Sequence, residues 1–213
     1  MTIALATDGI FPESVGGMQR HSKFLIEGLH ALLDDGDTLH VLHPHGKQLF
    51  PDLDQVVEHP LVLENEHSVY LVRCHQYSEL VHCTLLAIEP DVVYSQGLSV
   101  WSHIEVWSDR LIINPHGLEP YQALGLKNRL VAVPFKAVFN RLFRKARKVV
   151  SLGGKLTHIL GERLDASAIT VLPNGVEPAN FPCRAAFTKS AVPQLLFLGR
   201  FASNKGIDLL LRT

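Results

Sequence analysis

The sequence predicts an α/β protein with a parallel sheet covered by helices on both faces. Three observations carry that reading. Short apolar runs alternate with longer stretches of helical period along the whole chain. The runs are nearly uninterrupted in apolar character, as strands buried on both faces require. The first of them ends at Asp8 and opens through a glycine-bearing loop into a long amphipathic helix.

In chain order, the predicted strands are Ile3–Ala6, Thr38–Leu42, Val69–Arg73, Asp91–Ser95, Leu111–Asn114, Val149–Leu152, Ile169–Leu172 and Leu195–Leu198. Between them lie helical patterns. In Met18–Leu33, Phe24, Leu25, Leu29 and Leu32 share one stripe. Tyr77–Ile88, Phe135–Lys148 and Gly154–Arg163 follow the same period. From Pro173 to Pro193 the sequence turns irregular and holds four prolines, which predicts a linker. The expected organisation is a first domain over residues 1–172, a linker over 173–193, and the first strand and partial helix of a second domain over 194–213.

Composition sets bounds. A chain of 213 residues suffices for one well-buried α/β domain and a fraction of another. The net charge of -1 gives no general affinity for nucleic acid. No uncharged apolar run approaches the roughly 20 residues that span a bilayer, and TIALAT lacks the basic leader of a signal peptide. Cys74, Cys83 and Cys183 form neither CxxC pairs nor a disulfide framework, so a cytoplasmic location is expected. The near-neutral total hides one cationic region: no acidic residue occurs between Glu119 and Glu162, while nine lysines and arginines do.

Four places could carry chemistry. Gly16 and Gly17 precede the first long helix, where free N–H groups and the positive dipole end suit an anion. A Gly-Gly pair is equally what a plain turn needs, and neither a GxGxxG pattern nor a Walker lysine is present. His116, in NPHGLEP, follows the strand Leu111–Asn114 and could exchange hydrogen bonds with a sugar hydroxyl or carbonyl. In PNGVEPANF, Asn174-Gly175 is a turn signal, and Asn174 and Glu177 are candidates for hydroxyl contacts. Arg200 and Lys205, with Gly206, follow the run QLLFLG and could grip a pyrophosphate.

Together FPESVGGMQRH, NPHG, VLPNGVEPANF and LGRFASNKGIDLLL resemble retaining glycosyltransferases of the GT-B fold, in the group 1 class (family 4). The resemblance implies two Rossmann-like domains facing across a cleft, the first binding mainly the acceptor and the second a sugar nucleotide. By similarity, Gly16 and Gly17 would lie near the donor diphosphate and His116 beside the donor sugar. Arg200 and Lys205 would neutralise the leaving diphosphate, in place of a metal ion. No cofactor is implied, since the nucleotide sugar is a substrate, and the acceptor would be a glycan or a lipid-linked saccharide. The family's paired glutamates, spaced E-x7-E in the second domain, are absent because the chain ends first, so the chain alone is expected to be inactive. DVVYSQG departs from the family's habit of a histidine after that strand.

Other readings stay open on the residues. A nucleotide- or ligand-binding Rossmann-type module without transferase activity needs a dinucleotide fingerprint and an acidic residue about 20 positions on. Asp34 and Asp35 fill the second role, but the glycine pattern does not fill the first. Phe135–Lys148 reads either as a helix packed on the sheet or as a surface helix that meets an anionic membrane. His40, His43 and His45 cluster near a strand end without HExxH spacing or a carboxylate at ligand spacing, so no metal is expected.

Overall fold

The computed structural model describes residues 1–65, 67–175, 192, 196–197 and 207–211. The chain divides into two units, Met1–Gly175 and Val176–Thr213. The first contains a seven-stranded sheet in the order β3-β2-β1-β4-β5-β6-β7 with every neighbouring pair parallel. The strands are β1 (Thr2–Ala6), β2 (Thr38–His43), β3 (Val56–Pro60), β4 (Val92–Gln96), β5 (Leu111–Asn114), β6 (Lys148–Ser151) and β7 (Ile169–Val171). The connecting helices are α1 (Gly17–His30), α2 (Tyr70–Ile88), α3 (Ile104–Trp107), α4 (Leu126–Lys145) and α5 (Lys155–Gly161). In the second unit the described residues include one short helix, α6 (Ile207–Leu210).

The two-residue period of the strands builds two cores. Ala4, Ala6, Leu42 and Val93 point into one, with Val81 and Leu85 of α2 and Phe139, Leu142 and Phe143 of α4. Leu5, Leu39 and Val41 point into the other, beneath Ile26 of α1. Alternate residues of one strand thus serve opposite faces, which is why the strands carry apolar residues on both.

Two predicted elements are corrected. Val69–Arg73 is the start of α2, not a strand. Tyr77, Val81 and Leu85 are buried at four-residue spacing, and Leu71 and Cys74 extend that stripe backwards against the core. The missed strand is β3, whose VVEHP sequence lacks an apolar run. It forms an edge of the sheet, and Glu58 at its centre is buried, bonded to His43 and to the backbone N–H groups of Leu49 and Phe50. An inward-pointing carboxylate on an edge strand also discourages pairing with another chain.

Leu142 is fully buried between α4 and the sheet. Leu142→Ala should lower stability by about 2–5 kcal/mol, read from the urea midpoint at unchanged slope. A shift no larger than that of a surface substitution would contradict this packing.

Candidate functional site at the switch point

From β1 the chain moves outward to β2 and β3, then returns to add β4 on the other side of β1. Crossovers that leave in opposite directions open a crevice beyond the carboxyl ends of the two strands, and ligands of open α/β sheets bind there. In this protein the crevice is rimmed by the loop after β1, the start of α1 and the turns after β4 and β5.

A buried polar cluster fixes these parts to one another. Thr7 follows β1, Ser22 lies in the second turn of α1, and Gln96 ends β4. The Ser22 hydroxyl donates to Gln96 Oε1 at 2.5 Å, and Thr7 Oγ1 lies 2.9 Å from Ser22 Oγ. The Tyr77 hydroxyl of α2 donates to the Thr7 carbonyl at 2.7 Å. Burial makes each of these bonds costly to lose.

Above the cluster, α1 begins at Gly17 after its cap residue Gly16, with no acidic residue in its own first turn. A side chain added at Gly17 would meet nothing within 4 Å, so the helix start is open. Gly97 holds a positive φ of 60° and donates its N–H to the Asn114 carbonyl at 2.9 Å, joining the tips of β4 and β5. Met18 of α1 packs over that turn, its sulfur 3.7 Å from where a Cβ on Gly97 would sit.

His116 also adopts left-handed backbone, at φ 56°. Asn114 holds it there: Asn114 Oδ1 accepts the His116 N–H at 3.0 Å, while Asn114 Nδ2 donates to the Tyr94 hydroxyl at 3.1 Å. A non-glycine residue in this region is uncommon and worth a functional question. The His116 ring meets the edge of His21, from α1, with centroids 4.9 Å apart. Among the described residues neither ring nitrogen of His116 has a hydrogen-bond partner, nor do His21 Nε2 and Gln96 Nε2, although all four atoms are buried.

Burial sets the charge state. It pushes His116 down to about 3 and lowers His21 as well. A neutral imidazole offers one donor and one acceptor, which matches a hydroxyl. Asp8 behaves oppositely. Although its residue reaches solvent, desolvation by the surrounding protein raises its carboxyl to about 6, against the hydrogen bond that Gln19 Nε2 donates to it at 3.3 Å. The crevice floor therefore pairs neutral hydrogen-bonding groups with one carboxyl group poised near neutrality.

The candidates distribute unevenly. His116 lies against His21, one turn of α1 after Gly17. Asn174 is exposed beyond β7, four strand spacings from β1 and two from β5, about 19 Å and 10 Å along the sheet. Glu177, Arg200 and Lys205 lie outside the described residues, as do Leu195 and Leu198 of the last predicted strand. Phe139, Leu142 and Phe143 of the basic helix are buried, so the apolar stripe of Phe135–Lys148 serves the core and is not open to a lipid surface. His40, His43 and His45 bond to His59, Glu58 and the Ile10 N–H respectively. No three His, Cys, Asp or Glu side chains are grouped to hold a metal ion among the described residues. Sequence reading gave no role to His21 or to the Thr7–Ser22–Gln96 cluster. The placement of His21 one turn after Gly17 was the signal available.

Fold and topology together define a doubly wound α/β domain with a crevice at its switch point. The chain belongs to Glycosyltransferase Family 4, whose sequence model matches residues 15–180. A comparison with the curated proteins finds no match. Among solved structures, the chain is similar to WaaG, a glycosyltransferase involved in lipopolysaccharide biosynthesis, with a TM-score of 0.61 at 17% identity over 83% of this chain and 46% of that one. It is similar to a sucrose-phosphate synthase from Thermosynechococcus elongatus, with a TM-score of 0.59 at 14% identity over 81% of this chain and 47% of the other. A glycosyltransferase from Rickettsia africae ESF-5 gives 0.52 at 20% identity over 84% and 46%. At these identities the likeness is one of fold, that of the N-terminal half of GT-B glycosyltransferases. The chain spans a little under half the length of each.

His116 should stay neutral in the folded protein well below pH 6.5. The folded state then binds fewer protons than the unfolded state, so stability falls as pH drops from 6.5 toward 3. Histidine NMR titration checks this directly: the His116 ring signals should not move between pH 7 and about pH 5. A transition near the ordinary histidine value would contradict the enclosed site.

Proposed function

We propose that this chain is the acceptor-side half of a glycosyltransferase that moves a hexosyl group from a nucleotide sugar to a glycan or lipid-linked acceptor with retention of configuration. Residues 1–172 would form the acceptor-side domain, 173–193 the linker and 194–213 the beginning of the donor-binding domain. The observation that carries this reading is the meeting of the α1 start and His116 at the switch point, in a chain of Glycosyltransferase Family 4.

In the proposed reaction the bond from the anomeric carbon to the donor phosphate breaks, and the nucleoside diphosphate leaves with the bonding pair. A bond forms from that carbon to the acceptor oxygen, whose proton passes to the departing phosphate. His116 is too weak a base to take that proton, because burial pushes its pKa down to about 3. Its role is to hold a hydroxyl of the donor sugar. The first-turn amides after Gly16 and Gly17 would receive diphosphate oxygens, and Arg200 and Lys205 would neutralise the charge that builds as the bond breaks, without a metal ion. Asn174 and Glu177 would bind hydroxyls from the linker side.

The low share of each solved structure that is covered supports a further proposal: turnover needs a complete donor-binding domain in addition to residues 1–213. A protein that works on the inner face of a cytoplasmic membrane fits a lipid-linked acceptor. No helix among the described residues is long and apolar enough to cross a membrane.

The test is a screen of UDP-, GDP- and ADP-sugars with the whole protein, followed by NMR of the product's anomeric centre. Arg200→Ala and Lys205→Ala should each lower kcat by about 10²-fold or more, and His116→Ala should lower kcat/KM with melting temperature nearly unchanged. Full turnover in all three variants would remove the assignment. Donor binding should also draw protons onto Asp8, since a nearby diphosphate raises a carboxyl group already near 6. Calorimetry in buffers of different ionisation enthalpy should then show proton uptake near pH 6.5, abolished by Asp8→Asn.

A further inference from the structure

The loop after β1 is tied to the chain that leaves β2 at Ile10 and at Glu13. The Ile10 N–H donates to His45 Nε2 at 2.9 Å, and Lys47 pairs with Glu13 at 2.9 Å. Ile10 is fully buried in the core beneath α1, so its backbone N–H has no solvent to turn to. The same loop carries Asp8 and leads into the start of α1, so these ties set one rim of the crevice.

Backbone donors fix where the protons sit on the histidines. A peptide N–H can only donate, so His45 Nε2 presents its lone pair to Ile10 and the ring proton sits on Nδ1. The His45 N–H donates in turn to His43 Nδ1 at 3.3 Å. Buried His43 therefore carries its proton on Nε2, which donates to Glu58 Oε2 at 3.1 Å. Glu58 also receives the N–H groups of Leu49 and Phe50. A line of bonds thus runs from edge strand β3 through two imidazoles to the crevice loop. It holds only while His45 is neutral. A second proton on that ring sets a donor against the Ile10 donor and leaves a buried N–H without an acceptor.

We propose that His45 is a proton-operated latch, which holds the crevice loop at Ile10 when neutral and lets it go when protonated. Its surroundings set when this happens. Glu13 and Lys47 face it from the two joined segments, and the His43 ring lies beside it with centroids 5.4 Å apart. Glu58 and His59 of β3 stand behind His43. Burial lowers His45 below the ordinary histidine value of about 6.5, Glu13 opposes that shift and Lys47 adds to it. His45 is therefore neutral at neutral pH and takes its proton in mild acid. Lys47 holds Glu13 below the usual glutamate range, so their ion pair persists while His45 titrates. The latch does not rest on the transferase reading. If both hold, acid loosens the rim that leads to the diphosphate site.

The experiment follows the whole protein by NMR between about pH 7.5 and 4.5, reading the His45 ring signals and the amide protection factors together. Ile10 should lose protection about tenfold relative to Leu5 in β1 as the His45 ring titrates, the scale of one buried hydrogen bond. His45→Gln puts a carbonyl oxygen in the place of Nε2, so Ile10 should then stay protected across the range. Asp8→Asn should leave the parent's pH dependence in place, which separates the latch from a nearby carboxyl group that titrates at about 6. Steady Ile10 protection while His45 titrates overturns the inference, as does an unchanged pH dependence in His45→Gln. A His45 ring that stays neutral throughout overturns it too. No nucleotide sugar enters these measurements, so their outcome is separate from that of the proposed transfer.

Discussion

The bonding of Ser22 to Gln96, with Thr7 alongside, is the interaction on which the site depends. It ties the second turn of α1 to the ends of two adjacent strands that the chain reaches in separate excursions. Without it, the start of α1 would be aimed by the apolar contacts of its other face, chiefly Ile26 and Leu25, and by the bonds of Gln19 to Asp8 and Phe11. Hydrophobic packing is non-directional and tolerates sliding, whereas a buried hydroxyl–amide bond has a narrow geometry. Met18 over Gly97, and His21 against His116, follow from that anchoring.

The same enclosure shapes the chemistry. Desolvation acts on His116 and on Asp8 in the same sense, against charge, and so keeps one neutral and brings the other near neutrality. The crevice floor is thus rich in hydrogen-bonding groups and poor in fixed positive charge. A charged diphosphate would need cations from elsewhere, which gives the Arg200–Lys205 segment a physical reason to take part.

Most of the sheet was legible because buried parallel strands write themselves as apolar runs: β1, β2, β4, β5, β6 and β7 all overlap predicted segments. The two errors have different causes. VYLVR carries β-branched and aromatic residues that suit a strand, yet Tyr77, Val81 and Leu85 downstream fix a helical period that extends through it. VVEHP hides an edge strand, where half the apolar requirement lapses and a buried glutamate takes the place of a hydrophobic residue. In α4, the sequence showed a basic helix with an apolar stripe but placed it at Phe135–Lys148. A second stripe at Leu126–Val133 needs the structure, because only burial shows which side faces the core. His116 was legible through its place after β5. His21 was not, because its pairing is a contact across the sheet rather than a spacing along the chain.

Hydrogen–deuterium exchange on the whole protein, with and without saturating nucleoside diphosphate sugar, tests the central claim most directly. The account predicts that ligand slows exchange at the Gly16–Gln19 amides and around His116–Gly117, with little change at β3 or β7. Protection confined to residues outside the crevice, with those amides unaffected, would contradict it.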